Sequence, residues 1–116
     1  MNDSLIQKYE LQAKVISAAS HPIRLAILEY LQDSPQCVCD IAKFVEVERS
    51  NVSKHLSVLA NAGLVEAQKH GLKMIYQLKT PCILKFLDCI MNIVQNQISI
   101  ENQTPTKACN NLSCEK

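Results

Sequence analysis

In the stretch SPQCVCDIAKF, residues 34–44, two thiols flank a single valine where a short segment of helical spacing begins. The thiols are Cys37 and Cys39, and Asp40 follows directly. The thiolate, not the thiol, is the nucleophile and the metal ligand. A helix start favours the thiolate, because its free N–H groups and the positive end of the dipole point at the first turn. Thiolates select soft ions. Asp40 reads as a dipole or capping partner rather than a ligand for a soft ion. A free cysteine is often only a small buried hydrophobe, but two within three residues, beside an aspartate, argue for ligands. In a regular helix of 100° per residue the two side chains point about 200° apart. Converging on one ion therefore requires a frayed or opened helix start. On this reading the pair is a poor static site and a good switch, placed on the helix that orients the next one.

The rest of the chain sets the context. Its 116 residues suit one domain, and 47% apolar content excludes compositional disorder. At this length the core is thin and a partner subunit helps to cover it. The start, MNDSLIQKYE, is polar and lacks the apolar region of a secretory leader. No apolar run approaches the roughly 18 residues that a membrane span needs. A cytoplasmic chain is expected, in which six cysteines serve as thiols, metal ligands or redox sensors rather than a disulfide framework. Net charge is only +1, but it is unevenly spread. Residues 1–42 carry three Lys/Arg against five Asp/Glu, residues 43–80 six against three, and residues 81–116 three against three. The basic excess lies in the middle third, where a phosphate-facing surface can sit.

Periodicity supplies the elements. A first helix is predicted over 4–19, with an apolar stripe through Leu5, Tyr9 and Ile16. A second helix is expected with Ser20 as N-cap and Pro22 in its first turn, and with Ile23, Ile27, Tyr30 and Leu31 at helical spacing. A short third helix runs from about Val38 to Val45. EVERS breaks the pattern, and Ser50 is expected to cap a fourth helix, NVSKHLSVLANA, which buries Val52, Leu56 and Leu59. Gly63 reads as the left-handed residue that ends it. LVEAQK and LKMIYQL then predict a two-stranded antiparallel hairpin joined at His70-Gly71, with Met74, Tyr76 and Leu78 on one face. Thr80-Pro81 opens a last helix whose wide apolar surface, including Cys82, Phe86, Cys89 and Ile93, exceeds what a small monomer covers. A two-fold dimer follows. The domain is expected over 1–98, with a flexible polar tail over 99–116 that holds Cys109 and Cys114.

Two short helices, a tight turn and a following hairpin spell a winged helix-turn-helix: mainly α, in the order ααααββα. The fourth helix enters the major groove of double-stranded DNA by its N-terminal half. Asn51, Ser53, Lys54, His55 and Ser57 are its residues that do not face the core, with groups suited to base edges and phosphates. Lys69, His70 and Lys73 at the hairpin tip straddle the backbone or an adjacent minor groove. The plainer reading is a solvated polar face, with His55 a structural histidine at the helix–helix contact.

SHPIRLAILEYL, CVCDIA and SNVSKHLSVLANAGLV resemble the matching stretches of the ArsR/SmtB family of winged-helix, metal-sensing repressors. The similarity runs from about residue 13 to residue 95. It implies a homodimer built from the first and last helices, which binds a palindromic operator and leaves it when an inducer binds. It assigns DNA reading to Ser50, Asn51, Ser53, Lys54 and His55, with the hairpin as wing. CVCD is similar to the third-helix box of arsenic(III)/antimony(III) sensors and of cadmium/lead sensors. In the arsenical members with three cysteines, the third follows three residues after the second, a position held here by Ala42. Cadmium/lead members draw further cysteines from an N-terminal extension, and residues 1–36 contain none. Cys109 and Cys114 are the candidates for additional ligands. Cys82 and Cys89 read as interface packing. The family's final-helix zinc site needs histidines, and this helix offers only Asp88.

The resulting expectation is a repressor released by As(III) or Sb(III) on cysteine thiolates. The alternatives are Cd(II) or Pb(II), or a redox or persulfide signal, at the same DNA-binding protein. Metal buffering without DNA binding is a further class. An enzyme is not expected: no C-x-x-C precedes a helix in a βαβ pattern, and His21, His55 and His70 lie scattered without a nucleophile partner. No membrane and no small organic substrate are expected as partners.

Overall fold

The computed structural model describes residues 2–102. Its elements are α1 (Asp3–Ala19), α2 (Pro22–Tyr30), β1 (Gln36–Cys37), α3 (Val38–Val45), α4 (Arg49–Asn61), β2 (Val65–His70), β3 (Lys73–Leu78) and α5 (Cys82–Asn102). The chain divides at Pro81/Cys82 into two compact units.

In the first unit the short helices α2, α3 and α4 bury one cluster. Ile27 and Leu28 of α2, Ile41 of α3 and Val52, Leu56 and Leu59 of α4 are wholly out of solvent, and Leu64 and Val65 close the cluster below α4. The stripe predicted for α4 is thus the stripe it buries. α1 packs on α2 and α4, and its buried residues are Ala18 and Ala19. Leu5, Tyr9, Leu11 and Ile16 stay exposed. Tyr30 of α2 and Phe44 of α3 stack with ring centroids 4.3 Å apart.

The helix ends depart from expectation in ways that have local causes. α1 is capped by Asn2, whose side chain accepts from the Leu5 N–H. α2 is capped by His21 and not by Ser20: the His21 Nδ1 accepts from the Ile23 N–H at 3.1 Å, and Ser20 ends α1. α4 starts two residues earlier than expected, with Glu48 as N-cap and Ser50 inside the first turn. Between α3 and α4, Glu46 takes the left-handed conformation at φ 57°. That turn lets the Val47 N–H reach back to the Ala42 carbonyl, so the chain reverses in three residues without glycine.

Gly63 stops α4 as predicted, at φ 84°. Its neighbour Leu64 donates its N–H to the Leu59 carbonyl, the six-residue bond of a helix stop. β2 and β3 pair antiparallel from Val65 opposite Leu78 to His70 opposite Lys73. His70 is therefore a strand residue, and the link is Gly71-Leu72, with Gly71 at φ 64°. A glycine in the first of two loop positions suits the right-handed twist of the strands. Thr80, expected to cap the last helix, donates its hydroxyl hydrogen to the Gly63 carbonyl at 2.8 Å and ties the base of the hairpin to the end of α4.

The hairpin is not alone. β1 pairs antiparallel with β3, Gln36 opposite Tyr76 and Cys37 opposite Ile75, giving a three-stranded sheet of order β1-β3-β2. Two residues are too few for a period to appear in the sequence, and only the β3 backbone makes them a strand.

The second unit is represented among the described residues by α5. Ile83 is buried there, whereas Phe86, Ile90, Met91, Ile93, Val94 and Ile98 are exposed. Cys82 and Cys89, read as interface packing, are free thiols exposed on α5 of the single chain. Cys109 and Cys114 lie outside the described residues. No helix among the described residues is long and apolar enough to cross a membrane.

Candidate metalloid and nucleic-acid site

β1 and α3 meet inside the CVC triplet. Cys37 is both the last residue of β1 and the N-cap of α3, with extended backbone at φ −81°, ψ 160°. Only Cys39 sits on helical backbone. The 200° divergence of a regular helix therefore does not arise, and the two sulfurs lie 2.7 Å apart as one thiol donates to the other. No fraying is needed to bring them together, which corrects the expectation from helical geometry. The Asp40 carboxylate comes within the same 4.8 Å cluster of ligand atoms.

The sulfurs are not equivalent. Cys37 is 8% exposed, Cys39 half-buried. The Cys37 thiol donates to Cys39, and this holds Cys39 below its ordinary value, helped by the Asp40 backbone N–H and by the Lys73 ammonium. The same bond, with burial and the Asp40 carboxylate behind it, pushes Cys37 up. Cys39 is thus the more readily ionised of the two sulfurs.

Beside the sulfurs opens a cleft of about 280 Å³. Its walls come from three elements: Cys37, Val38 and Cys39 at the start of α3; Arg49, Ser50 and Ser53 on the first turns of α4; and Leu72, Lys73 and Met74 at the tip of the wing. Arg49 was hidden in the EVERS segment. Its signal was a cation just before the capping serine, and it became legible only once α4 was seen to begin there.

On α4, Ser50, Asn51, Ser53, Lys54 and Ser57 are all exposed, opposite the buried Val52, Leu56 and Leu59. His55 is half-buried, its ring against that of His21 with centroids 4.6 Å apart. Burial lowers its pKa, and His21 and Arg24 add to the effect. Lys69, His70 and Lys73 are exposed on the wing, where the His70 ring pairs with the Gln68 side chain at 3.3 Å. Leu72 at the tip is fully exposed.

Comparison with solved structures gives the class first. The fold matches the solution structure of a homodimeric winged helix-turn-helix DNA-binding domain from Mycobacterium bovis, with TM-score 0.74, 22% identity and coverage of 90% of this chain and 94% of that one. It also matches the crystal structure of Mycobacterium tuberculosis Rv0081, with TM-score 0.72, 32% identity and coverage of 82% and 96%. The protein has a winged helix-turn-helix fold.

Residues 21–67 match the model of the arsR family of bacterial regulatory proteins. The HTH-type regulator Rv0081 is 34% identical over 92 residues, 78% of this chain and 81% of its own length. The arsenical resistance operon repressor of Staphylococcus xylosus is 31% identical over 104 residues, 90% and 93% respectively. The chain belongs to the arsR family of DNA-binding transcriptional regulators.

Proposed function

We propose that the protein is an operator-binding repressor released when a thiophilic metalloid, As(III) or Sb(III), binds the Cys37 and Cys39 sulfurs. Ser50, Asn51, Ser53, Lys54, His55 and Ser57 present α4 to the major groove, and Lys69, His70 and Lys73 carry the wing onto the phosphate backbone. His55 contributes by fixing α4 against α2 through His21 as well as by its position on the reading helix. The single observation that carries the reading is the shared cleft: the sulfurs and the first turns of α4 are walls of one cavity. An ion seated on the sulfurs acts on the operator-reading helix at first contact.

The donor set fits a soft ion. Two sulfurs stand in contact and a carboxylate lies within 4.8 Å. Cys37 and Cys39 would hold the metalloid through two As–S bonds, each replacing an As–OH whose hydroxide would leave as water with the thiol proton. The Asp40 oxygen supports Cd(II) or Pb(II) as the second reading, since a carboxylate suits a less soft ion better than As(III). Cys109 and Cys114 remain candidate further ligands. A homodimer is part of the proposal, supported by the uncovered apolar residues of α1 and, separately, of α5.

The test is a fluorescence anisotropy titration on the protein's own promoter. Cys37→Ser and Cys39→Ser are expected to bind operator as the parent does and to ignore arsenite. If both variants release DNA normally on arsenite addition, the site assignment is wrong.

A further inference from the structure

The cleft beside the sulfurs is larger than an ion requires. At about 280 Å³ it holds on the order of nine waters at roughly 30 Å³ each, close to the lower end of small-molecule sites at roughly 300 Å³. The charged side chains on its walls are Arg49 and Lys73, while the Asp40 carboxylate lies within 4.8 Å of the sulfurs but outside the lining. Its sulfur count is short. Three sulfurs complete a pyramidal As(III) site, and among the described residues the walls hold the two cysteines and the thioether of Met74. A thioether has no proton to give up and cannot replace hydroxide on arsenic.

We infer that the metalloid is held in this cleft with the sulfur of a small anionic thiol as its third ligand, the acid group of that thiol resting on Arg49 and Lys73. The inference rests on the metalloid reading above and names the ligand class that completes the site. The chemistry balances without an oxidant. Arsenous acid, As(OH)₃, reacts with the two chain thiols and one small thiol. Three As–S bonds replace three As–O bonds, three waters leave, and arsenic stays trivalent. The arrangement also states how release works. Arg49 and Lys73 border the reading helix and the wing, so the acid group of the adduct takes the cations that a DNA phosphate uses.

Native mass spectrometry of the full chain with arsenite decides it, in the presence of mercaptoethanesulfonate, of neutral mercaptoethanol, or of neither. The expected species is chain plus one arsenic plus one sulfonate thiol. It should form at about tenfold lower arsenite concentration than its mercaptoethanol counterpart, the gain expected from two partly exposed cation contacts. In an Arg49→Met/Lys73→Met double variant that preference should drop below about twofold, with the mercaptoethanol species still forming. Arsenic bound at saturation with no small thiol attached, in the presence of either thiol, would mean that hydroxide or the chain itself fills the third position, and would overturn the inference while leaving the repressor reading intact. Equal affinity for the sulfonate and neutral species overturns it as well. Arsenic absent from every spectrum sinks both readings together.

Discussion

The His21 ring at the N-terminus of α2 lies against the His55 ring of α4, centroids 4.6 Å apart and planes tilted by 47°. The His21 Nδ1 is also the cap acceptor for the Ile23 N–H. One imidazole therefore anchors the start of α2 and packs against α4.

This contact sets a pH dependence. Burial, His21 and Arg24 all lower the His55 pKa from its ordinary 6.5, so the folded state prefers the neutral ring. A group with a depressed folded pKa leaves stability intact above its unfolded value and removes it as pH falls below that value. Thermal stability is expected to fall as pH drops below about 6.5, and His55→Gln should flatten that slope. An unchanged slope in the variant would show that His55 is not the group responsible.

Cys39 should react with iodoacetamide faster than Cys37, because it is the more exposed sulfur and the one whose ionisation its neighbour favours. The pH–rate midpoint for Cys39 is expected below 9.0, its ordinary value. Cys37→Ala removes the donating thiol and should move that midpoint upward. Peptide mapping after short labelling gives both rates.

Lys54 on α4 and Lys73 on the wing are exposed cations without a core role. If each meets a phosphate, Lys54→Ala or Lys73→Ala should reduce the slope of log affinity against log salt by about 1. Asn51→Ala should instead weaken discrimination between operator and mismatched DNA, by about 1–3 kcal/mol, and leave the salt slope unchanged. Anisotropy titrations at several salt concentrations separate the two effects.

Leu56 is wholly buried at the centre of the α4 stripe. Leu56→Ala should cost about 3 kcal/mol in urea unfolding, the transfer term plus the cavity left behind. Gly63 tests a different force. A Cβ placed there meets no atom within 4 Å, so Gly63→Ala is penalised only by its left-handed backbone, at roughly 1 kcal/mol. A much larger loss would point to a packing role that this position does not have.

Much of this protein was legible without coordinates. The order of helices and hairpin, the Val52–Leu56–Leu59 stripe and the stop at Gly63 follow from periodicity and glycine chemistry, which are local. The polar and cationic face of α4 follows from the same count, because burying one stripe exposes its complement. The CVCD segment announced itself as a ligand candidate by residue type alone.

What the tertiary structure decided is the meeting of parts distant in sequence. A two-residue strand has no period, so β1 exists only because β3 offers its edge, and that pairing places Cys37 on extended backbone and swings its sulfur onto Cys39. Counting 100° per residue assumed a helix through both cysteines and gave the opposite geometry. The shared cleft joins Cys39, Arg49 and Lys73, residues separated by many positions in the chain, and no local pattern encodes that. His21 replaced Ser20 as cap for the same reason: the histidine gains a second partner, His55, that lies beyond the reach of the local sequence. Type and spacing fix which side chains can do the chemistry, while long-range packing fixes which of them meet.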